Sequence, residues 1–208
     1  MDEADRREQD PTEDTGTLTV VPVRAADLPE LADLAARTFP LACPPGTTHA
    51  ETDRFVAAHL SLEALGRYLA DDARHLLLAR SDGTAVGWAM TVDGDPADPD
   101  VAAVVTGRPA VELSKCYTDL AVHGSGVAAR LVAAALDLVR ADHPGDGTGQ
   151  AGTFWLGVNQ LNVRAQRFYA KQGFVVVGTK QFDVGGQLHD DFVMARPLAV
   201  PRASAPVA

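Results

Sequence analysis

The sequence predicts a single α/β domain in which a mixed sheet packs against helices. Three observations predict it. Short apolar, β-branched runs alternate with segments whose apolar residues recur at helical spacing. Clusters of Gly, Pro, Asp and Asn separate the two kinds of segment. The chain has 208 residues, ample length to bury one core.

Leu18 to Arg24 alternates as an opening strand. Asp27 is placed to cap a helix running through Phe39, with Leu28, Leu31, Leu34 and Ala35 as its apolar stripe. Cys43-Pro44-Pro45-Gly46 breaks the chain into a loop. Two short helices follow, about Thr52 to His59 and, capped by Ser61, Leu62 to Ala70; Phe55, Leu60, Leu65 and Leu69 are their core positions. His75 to Arg80 and Ala85 to Val92 form a hairpin around Ser81-Asp82-Gly83-Thr84. Asp93 to Arg108, rich in Asp, Pro and Gly, is expected as a surface loop.

A strand from Val111 to Ala121 runs into a glycine turn, and a helix then reaches Arg140 on Val127, Leu131, Ala134, Ala135 and Leu138. Gly145-Asp146-Gly147-Thr148-Gly149 is expected as a flexible loop before a strand at Thr153 to Val158. Asn162 caps a helix from Val163 to Gln172, and Gly173 ends it. Phe174 to Lys180 is a strand, and Lys180 to Val184 and His189 to Ala195 flank Gly185-Gly186. Residues 1–16 and 199–208 are expected as disordered tails around a folded domain at 17–198.

Net charge is −10, and half of that excess lies in residues 1–16. The remainder still argues against a nucleic-acid binder, which needs a basic footprint. It mildly favours a cationic small molecule. No apolar run approaches the roughly 20 residues that cross a bilayer, and the acidic first residues do not resemble a secretory signal. Cys43 and Cys116 make neither a disulfide scaffold nor a metal site. A cytoplasmic protein with reduced thiols is expected.

The glycine turn carries the first functional signal. Gly124 and Gly126 precede a helix, whose N-terminus offers unpaired N–H groups and partial positive charge to an anion such as a pyrophosphate. Gly124-Ser125-Gly126-Val127-Ala128-Ala129 also satisfies a dinucleotide fingerprint, with Asp146 about 20 residues on. That acid should end the following strand, yet Asp146 lies in a glycine loop before it begins.

The segment beyond decides between these readings. Phe154-Trp155-Leu156-Gly157-Val158, then Asn162, Ala165, Phe168-Tyr169 and Gly173-Phe174, resembles the second signature of the GNAT superfamily of acyl-CoA N-acyltransferases. The glycine turn is similar to that family's pyrophosphate loop, in which Gln or Arg stands first, Gly fourth, and Gly or Ala sixth. Here His123 is first, Gly126 fourth and Ala128 sixth. The likeness runs from about Leu18 to Leu198. The segments at 112–118, 155–158, 178–182 and 191–194 look most like the spermidine/spermine N-acetyltransferase branch.

The resemblance implies a mostly antiparallel, twisted sheet whose splayed central strands form a cleft for acetyl-CoA, with no metal. It implies direct attack of an amine on the thioester. The acceptor would be a small primary amine, a polyamine among them; a protein or peptide acceptor, or a non-catalytic CoA-binding module, are the alternatives. Homodimers are common in such a family. The backbone N–H groups of Gly124, Ser125, Gly126, Val127 and Ala128 would hold the pyrophosphate, with a hydrogen bond from His123 unless that residue merely faces solvent. An N–H near Leu120 or Val122 would polarise the carbonyl. Asn162 would cap its helix and bond the pantetheine arm. Tyr169 would be the general acid, although a core aromatic fits the same spacing. Glu112 is the first choice of base, a solvated glutamate the plain alternative, and Asp183, Asp190 and Asp191 are further candidates. Lys115 and Arg130 are expected to be solvated or phosphate-facing.

Overall fold

A computed structural model describes residues 17–143 and 152–198. The expected tails and the glycine loop at 145–149, Asp146 included, lie outside the described residues. The strands are β1 (Leu18–Pro22), β2 (Arg74–Ser81), β3 (Thr84–Asp93), β4 (Ala110–Thr118), β5 (Thr153–Asn159), β6 (Val175–Val184) and β7 (Gln187–Pro197). They form one seven-stranded sheet in the order β1-β2-β3-β4-β5-β7-β6. All pairings are antiparallel except β4–β5. The α/β class and the antiparallel bias are as expected.

Among the described residues six α-helices cover the sheet: α1 (Leu28–Thr38), α2 (His49–His59), α3 (Leu62–Leu69), α4 (Pro99–Val104), α5 (Val127–Asp142) and α6 (Val163–Lys171). Period-two alternation divides the apolar side chains between two faces. Leu77, Leu113, Phe154, Leu156 and Met194 pack under α5 and α6. Leu76, Leu78, Trp88 and Met90 face α1, α2 and α3 on the other side. On that same side, Trp155, Val193 and Ala195 meet α4.

Several boundaries differ from the sequence reading. Asp27 does not cap α1; its carboxylate accepts the Arg24 N–H at 2.8 Å and pairs with Arg80 at 2.9 Å, closing the turn before the helix. The second helix begins earlier, at His49, because Thr48 and Glu51 form a capping box. The expected loop at Asp93 to Arg108 contains α4, started by Asp98 and Pro99 and held by buried Val101 and Val105. The two strands separated at Lys180 are one, β6, kinked where its register with β7 shifts between Val176 and Gly178.

The region that positions the site is the middle of the sheet. β4 and β5 pair over only three residues, Ala110–Thr153, Val111–Phe154 and Glu112–Trp155. Beyond Glu112 the strands part. The register of β4 with β3 also shifts there, from Thr91–Leu113 to Met90–Lys115, leaving Ser114 as an extra residue. Such a bulge re-aims every side chain beyond it. Without it Lys115 and Tyr117 would share the face of Val111 and Leu113. With it Tyr117 packs on the α1 side against Phe39 and Trp88, and Cys116 takes the α5 side.

Candidate active site

The parting strands open a cleft of about 770 Å³, within the range of small-molecule sites. Its walls are β4 beyond Glu112 and β5 from Gly157 to Asn159. The start of α5 and one side of α6 line the other face. Phe39 to Pro44 and the β6–β7 hairpin close over the α1 face.

At one end stands the glycine turn. Gly124 and Gly126 adopt φ of +87° and +89°, and a Cβ at either would touch nothing within 4 Å. Backbone conformation, rather than space, is what calls for glycine there. Gly126 starts α5 with no capping side chain, and the first turn carries no acid. The leading N–H groups of this 16-residue helix therefore have no side-chain cap, and such a helix end attracts anions. Val127 contributes only its backbone, since its side chain is in the core. The Ser125 hydroxyl turns back to donate to the Val122 carbonyl at 2.7 Å. Gly124, Gly126 and Ala128 line the cleft.

His123 lines it too, and its Nδ1 lies 2.8 Å from Nη1 of Arg164. A guanidinium only donates, so Nδ1 accepts and the neutral ring's proton sits on Nε2, oriented as a donor. Arg164 itself had no role in the sequence reading. Its signal was a cation in the first turn of a helix whose cap, Asn162, was already singled out. Asn162 does cap α6, accepting the Ala165 N–H at 3.0 Å, and it lines the cleft.

The carbonyl-polarising donors require a correction. β4 ends at Thr118 rather than Ala121, and Leu120–Val122 coils into a 3₁₀ turn. The Val122 N–H donates within it to the Asp119 carbonyl at 3.2 Å, and Leu120 is 63% exposed. Neither residue aims an N–H across the cleft. The Asp119 N–H donates to Val86 of β3 at 2.8 Å. By strand alternation Tyr117 also faces β3, and the N–H groups of Cys116 and Thr118 face the gap.

Tyr169 reaches the cleft from α6, packed edge-on to Phe168 and Phe174 with ring centroids 5.1 and 5.8 Å away. Its hydroxyl meets the Cys116 thiol. Burial holds the phenol well above its usual value, with further repulsion from Cys116 and Tyr117. It therefore stays protonated throughout the neutral range.

Across the cleft, on the α1 face, lie the charged groups. Glu112 sits where the strands begin to part, with its Oε1 4.0 Å from Lys180 Nζ. Asp191 of β7 is buried, and burial pushes its carboxyl up to about 6 against the opposing pull of Lys180 and a 3.3 Å hydrogen bond from Asn159. Lys180 spans Gly157, where a Cβ would lie 2.6 Å from its Cε and 3.3 Å from Asp191 Oδ2. Asp183 is spent on its hairpin, accepting the Gly186 N–H at 2.6 Å, and Asp190 is exposed. Neither joins the site. Lys115 proves to be a half-buried wall residue rather than a solvated one. Arg130 turns away to donate to the Leu18 carbonyl at 3.3 Å.

A donor-rich helix end, a gap between splayed strands and a protonated phenol beside that gap define an acyltransferase. The sequence pattern of the acetyltransferase (GNAT) family matches residues 28–174. An uncharacterized N-acetyltransferase of Mycobacterium tuberculosis H37Rv is 45% identical over 172 residues, covering 83% of this chain and 98% of the relative. A Mycobacterium bovis relative matches equally well. The chain belongs to the GNAT acetyltransferase family.

Solved structures share the fold. The PaiA N-acetyltransferase of Thermoplasma acidophilum, in complex with coenzyme A, has a TM-score of 0.66 at 17% identity over 87% of this chain and 99% of its own. YncA of Salmonella typhimurium, with acetyl-CoA, has a TM-score of 0.56 at 18% identity over 92% and 99%. Among the described residues no group of three or more His, Cys, Asp or Glu is placed to hold a metal ion. No helix among them is long and apolar enough to cross a membrane.

Proposed function

We propose that the protein transfers the acetyl group of acetyl-CoA to the primary amine of a small molecule, by direct attack on the thioester. One observation carries this reading: the gap between β4 and β5 has Tyr169 on one face and Asp191 on the other, with Phe39 to Pro44 and the β6–β7 hairpin over it. A latch joins that hairpin to α2. Arg54 donates to the Gly185 carbonyl from Nε at 2.9 Å and Nη2 at 2.7 Å. Gly185 lies so close that a Cβ would sit 2.5 Å from the Glu51 carbonyl oxygen. Phe55 and Phe182 meet beneath, 5.8 Å between centroids. The latch ties down the hairpin that covers the cleft, which favours a small acceptor over a peptide laid along an open trough.

The residues present suit acetyl-CoA, which supplies the activated acyl group. The α5 N-terminus, His123 and Arg164 receive its pyrophosphate, and the gap with its outward N–H groups takes the pantetheine arm and thioester. Asp191, directly or through water, strips a proton from the acceptor ammonium. As the C–N bond forms and the C–S bond breaks, the nitrogen gives up its second proton to water, while Tyr169 passes its proton to sulfur and regains one from solvent. A dry cleft disfavours both the phenolate and the thiolate, so their proton affinities rise together. Asp191 is preferred to Glu112 as base because burial brings it near working pH while Glu112 is paired with Lys180.

Cys43 and Cys116 are free thiols, which supports a reducing, cytoplasmic setting. The homodimer implied by the resemblance is decided by sedimentation velocity. A thiol-release assay with acetyl-CoA, read beside the mass of the product, tests the function across polyamines, aminoglycosides, amino acids and short peptides. Acetylation of small amines is expected. Peptides as the only acceptors, or CoA binding by calorimetry with no turnover on any amine, would overturn it.

A further inference from the structure

In a chain of net charge −10, the cleft is cationic. Lys115, Arg164, Lys171 and Lys180 line it against only Glu112 and Asp191. Arg164 belongs with His123 at the pyrophosphate end, and Lys171 closes the last turn of α6. Two lysines remain on the acceptor side, and they are not alike.

Lys180 is well partnered. Its ammonium lies 4.0 Å from Glu112 and sits over the rings of Trp155 and Phe182 at 5.3 and 5.8 Å. It also interacts with Asp191. Lys115 has no such set. Among the described residues it makes no ion pair, and its ammonium stands 5.9 Å from the Tyr68 ring. Burial pushes it down to about 8, with repulsion from Arg74 and Lys180 added and only the weaker pull of Glu112 opposing. It is still charged at neutral pH, but poorly compensated. The bulge at Ser114 is what turns it toward this face. His189 Nε2, in the same lining, is buried without a hydrogen-bond partner.

The ion pair between Glu112 and Lys180 sets the balance of charge. Once Asp191 has taken the proton of the amine, Glu112 and Lys180 cancel, and Lys115 is left over. An uncompensated charge, even a half-buried one, is better placed once an opposite charge joins it. We infer that the acceptor amine carries its own anionic group, a carboxylate or a phosphate, which Lys115 receives. This rests on the acetyltransferase reading above. A polyamine would instead bring a second ammonium against Lys115 and Lys180.

The test measures kcat/KM for acetyl transfer to glycine, β-alanine, γ-aminobutyrate and the α-amino acids, each against its carboxamide. Aminoalkyl phosphates distinguish phosphate from carboxylate, and spermidine is the cationic control. At least one acidic amine is expected to exceed its uncharged counterpart by roughly tenfold or more, as pairing one buried charge commonly gives. Lys115→Met should bring that ratio toward one, and Lys115→Arg should keep it, with CoA affinity as the check that the cleft is intact. A preference for spermidine or the carboxamides, or a ratio unchanged in Lys115→Met, overturns the inference. No turnover on any amine despite CoA binding overturns the acetyltransferase reading itself, and this one with it.

Discussion

Asp191 is a buried acid beside a lysine, and burial and the lysine pull in opposite directions. Burial raises its carboxyl to about 6 while Lys180 opposes the rise. As the base it must be ionised, so kcat/KM should fall about tenfold per pH unit below that value and level off above it. Lys180→Met removes the opposing charge and should move this limb to higher pH. Glu112→Gln should leave the limb in place; if it abolishes the limb, Glu112 is the base. The same shift has a cost in stability. The folded-state value lies above the ordinary 3.8, so the fold prefers the protonated form. That contribution is full below about pH 4 and is lost as pH rises through about 6. At pH 7 Asp191→Asn should therefore gain about 2 kcal/mol or less in denaturant unfolding while losing about 10²-fold or more in turnover.

Tyr169 makes a complementary prediction. Its raised phenol should produce no alkaline limb of its own in the neutral range. Tyr169→Phe should lose roughly 10² to 10⁴ in kcat with little change in CoA affinity. Full thiol release by that variant between pH 6 and about 9 would remove Tyr169 as the acid.

Two elements carry the geometry, and each has a glycine at its weak point. Gly126 opens α5 at φ +89° with open space around it. Gly126→Ala should therefore cost only the left-handed backbone, about 1 kcal/mol by thermal unfolding, yet weaken CoA binding more than that loss suggests. Gly185 is the opposite case, since any side chain there strikes the backbone of α2. Gly185→Val should part the hairpin from α2 and raise KM for the amine while CoA affinity holds, read by calorimetry and initial rates. The glycine turn was legible because its chemistry is contiguous, from His123 to Ala128. The end of β4 was misread because Asp119, accepting the Ala121 N–H at 3.2 Å and pairing with Arg37 at 2.9 Å, starts a turn inside an apolar run. The bulge at Ser114 has no local signature; it exists only as a register against β3. Helix α4 is too short to show a period, and its packing against Trp155 and Val193 fixes it instead.

At the scale of the molecule, charge is distributed rather than summed. The sequence is acidic, yet the four cations in its cleft outnumber two carboxylates. An overall balance that mildly favoured a cationic ligand thus says little about the cavity, which is assembled from distant strands. The proposed CoA end comes from two near-contiguous stretches, which is why the sequence alone suggests it. The acceptor end draws Lys115 from β4, Lys180 from β6 and Asp191 from β7, and only the topology brings them together. The central claim is that acetyl-CoA lies in the gap between β4 and β5 with its sulfur beside Tyr169. A crystal structure of the protein with CoA tests it most directly. The account predicts the pyrophosphate on the N–H groups at the start of α5 and the thiol within hydrogen-bonding reach of the Tyr169 hydroxyl. A CoA bound elsewhere, or one whose sulfur lies out of reach of Tyr169, would contradict it.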